Sequence, residues 1–180
     1  MVRIIVLCAT VAIATVLLHQ EGLRRVARLA TRVGRDGRHA RWVMLAVIVG
    51  IFGLHLLEIG LYAGAFAVAA DLLHLGHLVG DVTGSDLEFV YFSAETYTSL
   101  GFGDIVPEGV MRLLASFEPL NGLILLGWSA SFIYVEVQRN WPRETAPAGP
   151  TGGTSSLMRL GPPQLRPSRL RRMRRRGSPF

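Results

Sequence analysis

The sequence predicts an all-α membrane protein: three spanning helices and one short helix that enters the membrane and returns. Three observations carry this. Half of the 180 residues are hydrophobic, only 18% are charged, and the mean hydropathy is +0.37. The apolar and basic residues sit in separate blocks rather than mixed along the chain, which is how membrane proteins are patterned. A polar, glycine-bearing stretch then lies between the second and third apolar blocks. The single cysteine, Cys8, excludes a disulfide within the chain and a Cys-rich zinc site.

The first apolar block is Ile4–Leu18, bounded by Arg3 and by His19, Gln20 and Glu21. Its length would also suit the apolar part of a signal peptide. A cleaved leader, however, would require the following Arg-rich loop to be translocated. Residues 1–20 are therefore read as a retained membrane anchor. Residues 21–41 carry seven Arg against Glu21 and Asp36. Leu23, Val26, Leu29 and Val33 recur between the arginines. That pattern predicts a short helix on the inner leaflet, facing anionic lipid and ended by Gly34 and Gly37.

The second block, Trp42–Ala70, is interrupted by His55 and Glu58. At 1.5 Å per residue it reaches roughly 43 Å, longer than a ~30 Å hydrocarbon core. The third block, Leu113–Val135, reaches roughly 34 Å, inside a helix expected over 112–138. Residues 70–111 hold seven acids and no Arg, whereas 139–180 hold ten Arg against Glu144. The positive-inside rule puts the Arg-rich segments in the cytoplasm and the acidic segment outside. The amino end then lies outside and the carboxyl end inside a cytoplasmic (plasma) membrane. The tail 139–180 is rich in Pro, Gly, Ser and Arg and reads as disordered and basic, suited to anionic lipid. It lacks the interleaved aromatics and folded module of a nucleic-acid site.

Residues 88–98 could form about three helical turns, with Glu88, Tyr91, Glu95 and Thr98 on one side. This segment is too short and polar to span, so it suits a re-entrant helix. Non-helical backbone at membrane depth survives only inside protein or against water. Ser99-Leu100-Gly101-Phe102-Gly103-Asp104 follows, with glycine alternating with bulk. Such backbone can turn successive carbonyls to one side, given the φ values that glycine allows.

Ser99-Leu100-Gly101-Phe102-Gly103 resembles the T-V-G-Y-G filter of the pore-loop potassium channels, whose carbonyl rings replace a cation's water shell. The resemblance extends over Phe92–Thr98, Asp104 and Pro107, and covers roughly residues 42–138. It leaves out the first span, the Arg-rich loop and the tail. It implies a pore domain with an outer helix at 42–70, a pore helix at 88–98, a filter at 99–104 and an inner helix at 112–138. It further implies that Leu100, Gly101, Phe102 and Gly103 give backbone carbonyls to K+, and that Ser99 gives a carbonyl and a hydroxyl. Tyr91, Glu95, Thr98 and Asp104 would support the filter: Glu95 and Asp104 as a carboxyl pair sharing a proton, Tyr91 as a donor to Asp104. Gly122 and Gly127 are candidate hinges of an inner gate; close helix packing explains either equally well. Three further copies of the chain would complete the ring, with no cofactor beyond the permeant ion. The sequence departs from the family pattern in Ser for Thr, Leu for Val and Phe for Tyr. Those exchanges are the features a weakly selective cation channel would carry. A non-conducting membrane adaptor is the reading from a different class.

Within the spans, Glu118 and Asn121 are expected to pack behind the pore helix. His55 and Glu58 are expected to make a structural polar contact to the third span, since two ligands do not make a metal site. Asp71, His74 and His77 read as a polar turret. No Walker loop, nucleophile elbow or zinc-protease motif is present, so nothing in the sequence supports an enzyme.

Overall fold

A computed structural model describes residues 1–33 and 40–140. The expectations for Gly34, Gly37 and the tail beyond residue 140 lie outside the described residues. The elements run α1 (Val2–Val33), α2 (Ala40–Ala67), β1 (Leu78–Gly80), α3 (Leu87–Tyr97), β2 (Ile105–Pro107) and α4 (Arg112–Asn140). A π-helical turn, Val68–Leu72, continues α2, and a 3-10 turn, Gly109–Met111, leads into α4. Three helices are long and apolar enough to cross a membrane: Val2–Arg32, Arg41–Leu72 and Gly109–Arg139.

The first helix corrects the sequence reading. An anchor at 1–20 and a separate interfacial helix were expected, but α1 is continuous through Val33. Leu23 and Ala30 are buried in a cluster with Val43, Val47, Ile51 and Leu54 of α2. The apolar side of the Arg-rich segment therefore faces α2. Arg24, Arg25, Arg28 and Arg32 stay exposed, and Glu21 pairs with Arg25 at 3.1 Å and Arg28 at 3.0 Å. These pairs follow helical spacing, so the polar residues after Leu18 continue the helix instead of ending it.

Along α1 the buried positions are Ile4, Cys8, Val11, Thr15, His19 and Leu23. Steps of three and four make one stripe. Its amino-terminal part meets the second half of α2, around Ile59, Tyr62 and Phe66, so the two helices run antiparallel. The opposite side, with Ile5, Val6, Ile13 and Leu17, is exposed and apolar, as a lipid-facing surface is.

Helix α3 lies against both α2 and α4. Phe92 meets Phe66 edge-to-face with ring centroids 5.0 Å apart, a favoured aromatic geometry. Ser93 lies 2.9 Å from the Ile59 carbonyl and 2.6 Å from the Glu118 carboxyl. Asn121 donates to Thr15 of α1 at 2.7 Å. Of the two polar residues expected behind the pore helix, Glu118 is there and Asn121 reaches the first span. Before α3, the Glu88 carboxylate folds back onto Thr83, accepting from its amide and hydroxyl, and onto the Gly84 and Ser85 amides. Desolvation pushes the Glu88 carboxyl up, but these donors outweigh it and hold the group below its ordinary value.

The two strands were not anticipated. They pair antiparallel, with Leu78 opposite Pro107, Val79 opposite Val106 and Gly80 opposite Ile105. The hairpin ties the loop after α2 to the chain leaving the Gly103-Asp104 segment.

Candidate functional site

The site begins where α3 ends. Thr98 still bonds its own helix, its hydroxyl donating to the Ala94 carbonyl at 2.8 Å. The backbone then changes hand residue by residue: φ is 60° at Ser99, 55° at Gly101 and 79° at Gly103. Glycine takes that region without strain. Ser99 takes it against the usual preference of an L-residue, a small cost that marks many functional loops.

The amides of this stretch turn back toward α3. Ser99 N–H donates to the Thr96 carbonyl at 3.0 Å; Leu100 and Gly101 both donate to the Glu95 carbonyl, at 2.8 and 3.3 Å. Phe102 N–H donates to the Glu95 carboxylate at 2.9 Å. In a trans peptide each carbonyl opposes the next residue's N–H, and the described residues have no cis peptide. The carbonyls of Thr98, Ser99, Leu100 and Gly101 are therefore turned away from α3. Thr98 thus joins Ser99, Leu100 and Gly101 on the carbonyl-bearing side. The peptides after Phe102 and Gly103 have no such bond among the described residues.

Glu95 and Asp104, the expected carboxyl pair, each accept from a different set of donors. Glu95 is buried and braces the Phe102 amide. Asp104 accepts from the Tyr91 hydroxyl at 2.9 Å and from the Ile105 amide at 3.1 Å. The Tyr91–Asp104 contact is as expected, and the Asp104 hydrogen bond pushes the Tyr91 phenol above its ordinary value. The Asp104 carbonyl also accepts from Asp81 at 3.0 Å, beside the β1–β2 pairing. In the single chain, residues 98–104 are exposed from end to end, including the Leu100 and Phe102 side chains.

The two candidate hinge glycines differ. A Cβ on Gly122 would lie 2.5 Å from the Tyr97 carbonyl and 3.2 Å from its ring. Gly122 therefore lets α4 close against the end of α3. Gly127 meets nothing within 4 Å, and α4 is helical through both.

A second polar group lies behind the loop, where the sequence pointed only to His55 and Glu58. Glu58 is fully buried and receives His19 Nδ1 at 2.8 Å, His55 Nδ1 at 2.9 Å and the Tyr97 hydroxyl at 2.5 Å. His55 Nε2 meets Ser129 Oγ of α4 at 3.0 Å, the expected contact to the third span. His19 and Tyr97 were missed. Extending the Ile4, Cys8, Val11, Thr15 stripe by one turn would have found His19. Asp71, His74 and His77 do not converge; exposed His77 faces exposed Glu108 at 3.6 Å.

A helical hairpin, a half-buried short helix and a loop with alternating backbone handedness are the parts that the resemblance to a pore-loop channel domain implies. Residues 59–139 match the ion channel family model, from the middle of α2 almost to the end of α4, so this stretch is similar to an ion-channel domain. The inward rectifier potassium channel Kirbac3.1 of Paramagnetospirillum magnetotacticum is 30% identical over 90 residues. Those residues make up 49% of this chain but only 29% of that protein. No solved structure matches the chain. All of α1, and α2 up to Glu58, lie outside the family match, and the matched family is one of ion channels.

Proposed function

We propose that the chain is a subunit of a passive potassium-selective channel. Four copies would place four Ser99–Gly103 loops around one axis, each offering carbonyls to dehydrated K+. The observation that carries this reading is the positive φ at Ser99, Gly101 and Gly103 combined with amides drawn back onto Glu95. Side chains that are exposed in one chain, Leu100 and Phe102, would be covered by neighbouring copies. The acidic segment 70–111 would sit outside, concentrating cations at the mouth. The amino end would be outside too, with the Arg-rich segments against anionic lipid of the cytoplasmic membrane. No cofactor beyond the ion is needed.

The test is the reversal potential of the purified protein in planar bilayers, KCl on one side and NaCl on the other. A potential far on the K+ side, lost in Gly103→Ala, is expected. Phe102 lacks the phenol hydroxyl of the T-V-G-Y-G pattern, which favours weak discrimination as the second reading; current with a potential near zero would establish it. A silent protein that also fails to form tetramers would overturn both and leave a membrane adaptor.

A further inference from the structure

We propose that His19, His55, Glu58 and Tyr97 form a divalent metal site, of the Zn2+ class, that staples α1 to the end of α3. Two imidazoles and a carboxylate converge: all three ligand atoms lie within 4.8 Å of one another. The Tyr97 oxygen stands 3.0 Å from His55 Nδ1 and 2.5 Å from Glu58 Oε2. Two nitrogens and two oxygens are the ligand number and type that four-coordinate Zn2+ takes. Imidazole in the set argues against Mg2+ or Ca2+, and the lack of thiolate argues against Cu(I). Zn–ligand bonds of about 2.0–2.1 Å require neighbouring ligands somewhat farther apart than the present hydrogen bonds. Tetrahedral geometry sets those ligands roughly 3.3–3.4 Å apart, so binding opens the present contacts of 2.5 to 3.0 Å by about 0.3–0.9 Å.

Hydrogen-bond accounting supports the assignment. Ser129 Oγ lies between the two remote ring nitrogens, 3.0 Å from His55 Nε2 and 3.4 Å from His19 Nε2. With neutral rings each giving an Nδ1 proton to Glu58, both Nε2 atoms would be acceptors facing one hydroxyl proton. One ring nitrogen would then be left without a donor, or one ring would have to carry a second proton inside the bundle. Metal at both Nδ1 atoms moves each ring proton to Nε2. The two lone pairs of Ser129 then accept both N–H groups. A group that orients the far side of each ligating ring is what metal sites ordinarily build.

Charge balances as well. After binding, a divalent ion faces one carboxylate and one phenolate, with both imidazoles neutral. One proton leaves per ion, from the phenol, as its oxygen ligates the metal. The titratable groups facing the cluster are its own members on α1, α2 and α3. Tyr62 stands with its ring 6.5 Å from that of Tyr97, and Glu118 is held by Ser93.

The test uses the full chain in detergent, stripped with chelator and titrated with Zn2+ alone. We expect one Zn2+ per chain, a raised Tm and release of one proton per ion in weakly buffered solution. Co2+ in place of Zn2+ should give the visible absorption of four-coordinate cobalt. Ser129→Ala should weaken binding by about 10–100-fold, and His19→Ala by more. His77→Ala, at an exposed ion pair, should change nothing. If His19→Ala fails to fold, Ser129→Ala and the proton count decide. Absence of binding by the stripped wild-type chain would overturn the site. So would wild-type affinity in Ser129→Ala with no proton release, leaving the cluster as a hydrogen-bond network only.

Discussion

Two polar regions meet at Tyr97, and they are built in opposite ways. The segment 98–104 is exposed, and what orders it is backbone: amides drawn onto Glu95 and three positive φ values. The cluster around Glu58 is buried, and what orders it is side chains from four helices. Exposed backbone leaves carbonyls free to meet a ligand. Buried side chains spend their polar atoms on each other, since an unpaired polar group inside costs free energy that no water repays. The first region is suited to transient contact with ions, the second to holding helices together.

The largest effect should come from breaking the loop's brace. Glu95→Ala leaves the Phe102 amide without its acceptor, and we expect loss of K+ over Na+ discrimination in bilayer recordings while the helices persist by circular dichroism. On the cluster side, Glu58→Ala strands His19, His55 and Tyr97 together. Removing one partner of a buried pair costs about 3–5 kcal/mol, which a fall in Tm in detergent would reveal. Retained stability in Glu58→Ala would erase the contrast between the two regions.

Gly122→Ala presses on the point where the regions join. Overpacking of this kind costs about 1–3 kcal/mol, and here the added methyl meets a carbonyl as well as the Tyr97 ring. Both stability and conduction should suffer together; a change in one alone would show the regions to be uncoupled. The smallest effect is expected for Tyr91→Phe, which removes one exposed hydrogen bond to Asp104. Because that bond raises the phenol above its ordinary value of 10.0, its contribution is complete below pH 10 and is lost as pH climbs through the raised value. Tyr91→Phe should therefore differ from wild type in ion selectivity near neutral pH and converge on it in strong alkali.

Much of this was legible in the sequence, for reasons that differ by element. The spans follow from hydropathy alone. Helix α3 was expected at 88–98 and lies at Leu87–Tyr97, since the Phe89, Phe92 and Thr96 side and the Tyr91 and Glu95 side separate at helical spacing. The loop's handedness was legible because Gly101 and Gly103 have few other uses at that spacing. The β1–β2 pairing was not: Leu78–Gly80 and Ile105–Pro107 are three residues each, too short for any alternation to register. The continuity of α1 was hidden because Gln20 and Glu21 look like an ending. His19 was hidden because it stood at that supposed boundary, and its partner Glu58 lies on the next helix.

The bonds of α1 also set an order for the making of the protein. Thr15 can enter a bilayer alone, because its hydroxyl reaches the Val11 and Ala12 carbonyls of its own helix. His19 has no such recourse within α1 and must wait for Glu58, 39 residues later. Asn121 reaches Thr15 only when a further stretch of chain has followed, 106 residues away. The α1–α2 contact can therefore form first, and Tyr97 and Ser129 complete the Glu58 cluster when α3 and α4 follow.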